Sequence, residues 1–215
     1  MRKVTLNASV YVRLQKERQM LKKIVRYPVV RSEIRTFSFD GRATQWEKDN
    51  VFVGRFSDRV MVGLLHSNAF NGDLGRYPYA FQTFGVTQVR QSLNGEEYPY
   101  RTLQLTGTEA YEDMLGYDRL VQAMGAYNEN KIPMLLPSDW GQGKNCTLFL
   151  FKFNNVPSGK ADDPQYRNPL QSGNVRLVID FAAAVNHNIT VLFWSEYENV
   201  YEINHLGGLK YNING

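Results

Sequence analysis

The sequence has one cysteine, Cys146, so no internal disulfide can form and the fold has to stand on packing alone. Histidine is as scarce. His66, His187 and His205 are scattered, with no His-x-His or His-x₃-His pair, so the clustered ligands of a cupin-type metal site are missing. No apolar run approaches ~18 residues, and no membrane span is expected. The first residues lack the apolar core of a signal peptide, so secretion by that route is not expected. The Asn-x-Ser/Thr sequons at Asn7, Asn145 and Asn188 then read as chance. There is no Gly-x-Ser-x-Gly elbow. Gly141-Gln142-Gly143-Lys144 lacks the first glycine of a phosphate loop and is followed by Asn145 where Ser or Thr would bind magnesium. Cys146 opens an apolar strand and reads as a buried structural thiol. No catalytic residue, metal or cofactor is expected, and the chain is not expected to be an enzyme.

What is present is aromatic and β-branched. With 13 Tyr, 12 Phe and 3 Trp in 215 residues, the composition suits pleated, half-buried surfaces around one sizeable core. Charge is uneven. Residues 1–42 hold 11 Lys/Arg against 3 Asp/Glu, so the rest of the chain is net acidic. One reading is a basic face, Arg13, Lys16, Arg18, Lys22, Lys23 and Arg26, making nonspecific contact with nucleic acid or an acidic partner. The other is a solvated helix beside strands with basic outer faces; aromatics are not interleaved as a base-stacking platform needs.

Hydrophobic period sets the elements. Val4, Leu6, Ala8, Val10, Val12 and Leu14 alternate with mostly polar residues and predict a strand. Leu14, Met20, Leu21, Ile24 and Val25 then follow helical spacing, and Tyr27-Pro28 is expected to end that helix. Residues 29–39 read as a second strand closed by the Asp40-Gly41 turn. The stretch from Val51 to Asp73 organises the chain. Two β-type runs, 51–53 and 60–65, lead into the loop 67–73, where the lone aromatic Phe70 precedes the turn pair Asn71-Gly72. The second run is apolar on both parities and is expected to be covered on both faces.

Residues 77–84 form an aromatic connection lying across the sheet, and 86–93, Asn94-Gly95 and 98–105 read as a hairpin. Ala110, Met114, Tyr117, Val121 and Met124 lie on one helical face within residues 106–127, a helix with Thr106 and Glu109 at capping-box spacing and an expected interruption near Gly116. Residues 133–145 are a loop carrying Trp140, and 155–173 an irregular loop. Strands follow at 146–153, 175–181, 189–194, 199–203 and 209–213. With helices confined to connections and no βαβ alternation, the expected fold is all-β. It is an antiparallel jelly-roll sandwich of eight to ten strands, a single domain over residues 1–215.

Residues 59–81, RVMVGLLHSNAFNGDLGRYPYAF, resemble the Arg-Ile-Val-Val-Gly…Ala-Phe-Asn-Gly-Asp…Asn-Pro-Phe-Asn-Phe segment of capsid-like proteins from Maverick/Polinton and adintovirus-type elements. Further matches run in the same order. They are Ser9-Val10-Tyr11, Leu103-Gln104, Thr147-Leu148-Phe149, Gly173-Asn174-Val175-Arg176-Leu177 and the run from Glu196 to Ile203. The resemblance is to the C-terminal half of those proteins, which implies one half of a double jelly roll of the adenovirus-like lineage. It implies a structural capsid protein, assembled inside a host cell into the virion, self-associating through loops and sheet edges as a trimer and meeting other capsid proteins. Phe70, Asn71, Gly72, Asp73, Tyr79, Phe81 and Trp140 are the expected contact residues. A second reading is a carbohydrate- or ligand-binding β-sandwich in which Trp140 and Tyr166 stand beside a calcium held by Asp162 and Asp163. A third, a hydrolase using Glu196, Glu198 and Glu202, is disfavoured because their even spacing suits a solvated strand face.

Overall fold

The computed structural model describes residues 25–55, 57–97, 102–105, 110–124, 135–153, 172–203 and 208–211. The chain divides into two compact units, Met1–Val30 with Glu198–Gly215, and Arg31–Tyr197. Eleven strands lie in the described residues. Those of the first half are β1 (Val25–Phe39), β2 (Gln45–Lys48), β3 (Val53–Arg55), β4 (Arg59–His66), β5 (Val86–Leu93), β6 (Glu96–Glu97) and β7 (Leu103–Gln104). Those of the second are β8 (Leu148–Lys152), β9 (Ser172–Phe181), β10 (Ile189–Ile203) and β11 (Leu209–Tyr211). The helices, α1 (Ser67–Phe70) and α2 (Ala110–Ala123), lie in connections.

The strand order is β1-β10-β4-β8 in one sheet and β2-β9-β5-β6 in the other, with β3 also on β9 and β7 also on β5. The pairings of β10 with β4 and β11, of β9 with β2, β3 and β5, of β4 with β8, and of β5 with β6 and β7 are antiparallel. These orders have a simple origin. The described strands pair as a ribbon whose tip is the Asn94-Gly95 turn. Its rungs are β1·β10, β2 and β3·β9, β4·β8, and β5·β6 with β7. Rolling the ribbon lays β10 against β4 in one sheet and β9 against β5 in the other. That is the jelly-roll arrangement. At the tip, Asn94 and Gly95 adopt φ of 53° and 90°, the left-handed pair that a tight primed hairpin turn requires.

Between the sheets lies the core. Val60, Val62 and Leu64 of β4, Phe193 of β10, Phe149 and Phe151 of β8, and Leu177, Ile179 and Phe181 of β9 are all buried there. Phe193 joins both sheets, its ring 5.5 Å from Phe37 of β1 and 6.2 Å from Trp46 of β2. β4 is covered on its second face too. Phe81, from the connection after β4, lies over Gly63, so closely that an added Cβ would stand 2.6 Å from its ring. Leu65 and Leu150 on that face are buried, and α2 packs against β8. The doubly apolar run therefore does what its pattern predicts.

Several local expectations change. Tyr27-Pro28 terminates no element: β1 begins at Val25 and runs through it, a position that proline tolerates in an edge strand. The strand expected at 4–14, the helix before Val25 and residues 155–171 of the loop expected at 155–173 lie outside the described residues, while positions 172 and 173 are not loop but open β9. α2 runs through Gly116 without interruption. The glycine is there because Trp140 packs on it, leaving no room for a Cβ. The buried side of α2 is Gly116, Leu120 and Ala123 with Val121, whereas Met114 and Met124 of the expected stripe are 46% and 40% exposed. Cys146 is exposed, not buried. It precedes β8, and alternation turns its neighbour Thr147 inward instead, where the hydroxyl bonds Gly141.

In the smaller unit the described pairing is β10 with β11, from Tyr201↔Tyr211 to Ile203↔Leu209.

Replacing Gly63 with valine should destabilise the protein by ~1–3 kcal/mol, because a branched side chain must displace the Phe81 ring. Urea unfolding checks this. Adding Phe81→Ala to Gly63→Val should recover part of the loss, a coupling that independent sites would not show.

Candidate assembly surface

The connection between β4 and β5, residues 67–85, is ordered by its own backbone. α1 makes one turn, and Asn71 N–H donates to Ser67 O at 3.0 Å. Asp73 N–H donates to Asn68 O at 3.0 Å and Arg76 N–H to Asp73 O at 3.1 Å. The Asp73 carboxylate accepts from Gly75 N–H at 2.9 Å and pairs with Arg76 at 3.5 Å. Aspartate suits this place because its short side chain can satisfy the backbone two residues on.

Both ends of the connection are tied to the sandwich. Ser67 N–H donates to Asn188 O at 3.1 Å, and its hydroxyl shares a hydrogen bond with Thr190 at 2.9 Å. Further on, Gln82 N–H donates to Leu64 O at 3.0 Å and Thr147 N–H to Phe81 O at 2.9 Å. Thr83 Oγ1 donates to the Gln142 side-chain carbonyl, and Gln142 Nε2 to Val86 O, both at 2.6 Å.

On this braced segment stand four large apolar side chains facing solvent: Phe70 at 47%, Leu74 at 103%, Tyr77 at 69% and Tyr79 at 66% exposure. Tyr77 and Tyr79 meet edge to face at 5.8 Å. Leu74 is fully exposed to water on this hydrogen-bonded loop.

The expected contact residues divide. Phe70, Asn71, Gly72, Asp73 and Tyr79 are exposed together on this connection. Phe81 is half-buried against Gly63 and acts as the anchor beneath them. Trp140 is not on the surface at all. It is 4% exposed, packed on Gly116, with its indole N–H donated to Leu148 O at 2.9 Å. That placement removes it both as a contact residue and as a sugar-stacking platform. Leu74 and Tyr77 were not singled out from the sequence. The signal was there: Leu74 is the one apolar residue in the Asn-Gly-Asp-Leu-Gly-Arg run. Arg13, Lys16, Arg18, Lys22 and Lys23 lie outside the described residues, as do Asp162, Asp163 and Tyr166; Arg26 lies in β1. Glu196 is engaged elsewhere, paired with Arg59 at 2.7 Å across the β10·β4 ladder.

Beneath the connection sits a pair that sequence spacing could not reveal. His66 at the end of β4 and His187 in the β9–β10 connection stack at 3.8 Å, and Phe84 meets both edge-on, at 5.7 and 5.1 Å. Burial first, then the charges of His187 and Arg76, push the His66 pKa below its usual value. Burial and then Arg76 do the same to His187, whose Nε2 is buried with no partner among the described residues.

Among the described residues, no group of three His, Cys, Asp or Glu stands close enough to hold a metal ion. No helix among them is long and apolar enough to cross a membrane.

No family model matches the chain. It is 26% identical over 159 residues to the uncharacterized protein F54H12.2 of Caenorhabditis elegans, a match covering 74% of this chain and 37% of that one. The chain therefore spans little more than a third of that relative. Among solved structures it is similar to the PBCV-1 virus capsid, with a TM-score of 0.49 and 13% identity over 93% of this chain and 54% of that one. It is also similar to the mavirus major capsid protein, with a TM-score of 0.45 and 11% identity over 89% of this chain and 42% of that one. At these values the jelly-roll assignment rests on the strand order itself.

The histidine pair sets a pH dependence. A folded-state pKa below the unfolded value means that stability is full above about 6.5 and falls as pH drops through the lowered folded value. Melting temperatures should decline between pH 7 and pH 5, and less steeply for His187→Asn. An unchanged slope in that variant would assign the decline to other groups.

Proposed function

We propose that this chain is a structural capsid subunit, one jelly roll of a virion protein, that associates with copies of itself as a trimer and with other capsid proteins inside a host cell. The observation that carries the reading is the braced β4–β5 connection with Phe70, Leu74, Tyr77 and Tyr79 turned to solvent. A backbone held in place by hydrogen bonds has already lost part of the entropy that association would otherwise cost, which suits a lasting contact. The rolled-ribbon strand order supports the reading without deciding it, since jelly rolls serve several functions. The resemblance of residues 59–81 and the later strands to Maverick/Polinton-type capsid-like proteins favours the virion over the other jelly-roll uses. The solved structures to which the chain is similar carry capsid titles, and at their TM-scores the proposal does not lean on them.

Sedimentation velocity across a concentration series tests it. The protein should pass from monomer to trimer, and Leu74→Ser/Tyr77→Ser/Tyr79→Ser should weaken that step by at least about tenfold, roughly 1.4 kcal/mol, with melting unchanged. A strict monomer at every concentration, with or without the substitutions, would contradict the proposal.

A further inference from the structure

The flank of the larger unit formed by β1 presents a second surface, unrelated to the β4–β5 connection. β1 is the terminal strand of its sheet among the described residues. Natural edge strands are usually shortened, bulged, or studded with lysine or proline to prevent pairing with another chain. Residues 31–39, RSEIRTFSF, hold no lysine or proline, the one proline of β1 being Pro28, and their charged residues Arg31, Glu33 and Arg35 all stand in the inner row. The row facing away from the core is Ser32, Ile34, Thr36 and Ser38, exposed and without a charge, with Ile34 at 56%.

The other row is Arg31, Glu33, Arg35 and Phe37, partly buried and held in place. The Arg31 guanidinium lies 4.8 Å over the Tyr197 ring and that of Arg35 5.2 Å over Phe52. Arg35 also donates to Val51 O at 3.0 Å and pairs with Glu33 at 2.7 Å. Beside this edge, where β1 faces β2, the flank opens as a groove of about 780 Å³ lined by Thr36, Phe37, Lys48 and Asn50 among others.

We infer that this edge pairs with β1 of a second copy of the chain, antiparallel and about a two-fold axis at Ile34. The choice of partner and register comes from the charges. With Ile34 opposite Ile34 of the copy, Glu33 faces Arg35 and Arg35 faces Glu33, two opposite-charge cross-strand pairs. Ser32 then meets Thr36, and Arg31 meets the Phe37 ring. Moving the axis to Glu33 sets Glu33 against Glu33 and Arg31 against Arg35. Moving it to Arg35 sets Arg35 against itself. Both neighbouring registers put like charges together, and odd shifts would place the uncharged row against the core row. A self-complementary strand implies a two-fold contact. It is independent of the capsid reading, because it concerns a different surface and a different symmetry.

Disulfide trapping tests it in the full chain carrying Cys146→Ser. Under mild oxidation, Ile34→Cys should convert to covalent dimer in most chains, since the two positions face each other at the axis. Thr36→Cys should not, because the register sets position 36 four residues from its counterpart. Equal trapping at both positions, or none at either, overturns the inference. Charge reversal gives a second reading. Glu33→Arg should abolish trapping at position 34, and Glu33→Arg/Arg35→Glu should restore it, with melting curves confirming that each chain folds. Trapping that ignores the charge reversal in folded protein also overturns the inference. Loss of the trimer with this dimer intact, or the reverse, tells the failure of one proposal from that of the other.

Discussion

The ladder between β4 and β10 is the contact on which the rest depends. Ribbon rungs such as β4·β8 and β5·β6 form between strands that a hairpin-like fold brings together in any case. The β4·β10 pairing, from His66↔Ile189 to Arg59↔Glu196, is one of the two that roll the ribbon up. Its register puts Val62 opposite Phe193 and Val60 opposite Ser195, so all of these point into the space between the sheets. A slip by one residue would turn Phe193 outward and break its ring contacts to Phe37, Trp46 and Phe52. The Arg59–Glu196 ion pair closes one end of the ladder, and Arg59 also reaches Ala123 O of α2 at 3.5 Å. The Ser67–Thr190 hydrogen bond closes the other, where the β4–β5 connection begins.

Core and surface are linked at that second end. Gly63 is small so that Phe81 can lie on the outer face of β4, and Phe81 fixes the return path of the connection. What stands exposed between Ser67 and Phe81 is therefore displayed by the core. The histidine pair adds a further support at the same end, one that weakens when protonated. The arrangement places four large exposed apolar groups, Phe70, Leu74, Tyr77 and Tyr79, on one segment whose backbone has little freedom of its own.

Period-two patterns made the sandwich legible. β4 and β8 lie where their apolar runs place them, and Asn94-Gly95 marks the hairpin tip; β9 starts earlier than expected, at Ser172, and the strands expected at 189–194 and 199–203 are one continuous strand, β10. What the sequence concealed depended on partners remote in the chain. Trp140 looked like a loop aromatic because nothing local shows that Gly116, 24 positions earlier, leaves it a slot. Of the stripe expected on α2, Val121 is buried and Tyr117 half-buried, whereas Met114 and Met124 are exposed; the buried side is rotated toward Gly116, Leu120 and Ala123, and the packing of α2 on β8 is not written in local spacing. His66 and His187 are 121 positions apart, and only the rolled ribbon stacks them. Phe70 and Tyr79 were readable as exposed because glycine, asparagine and proline surround them. Leu74, a single leucine among turn residues, is readable in the same way.

The central claim is that an ordered, solvent-facing connection is displayed by the core in order to be covered by another chain. Amide hydrogen exchange over residues 67–85, followed at low and high protein concentration, tests it most directly. The amides of Asn71, Asp73, Arg76 and Gln82 should exchange slowly in the dilute protein, and the whole segment should slow further as concentration rises. Free-coil exchange of this segment at both concentrations would contradict the claim, as would slowing confined to other parts of the chain.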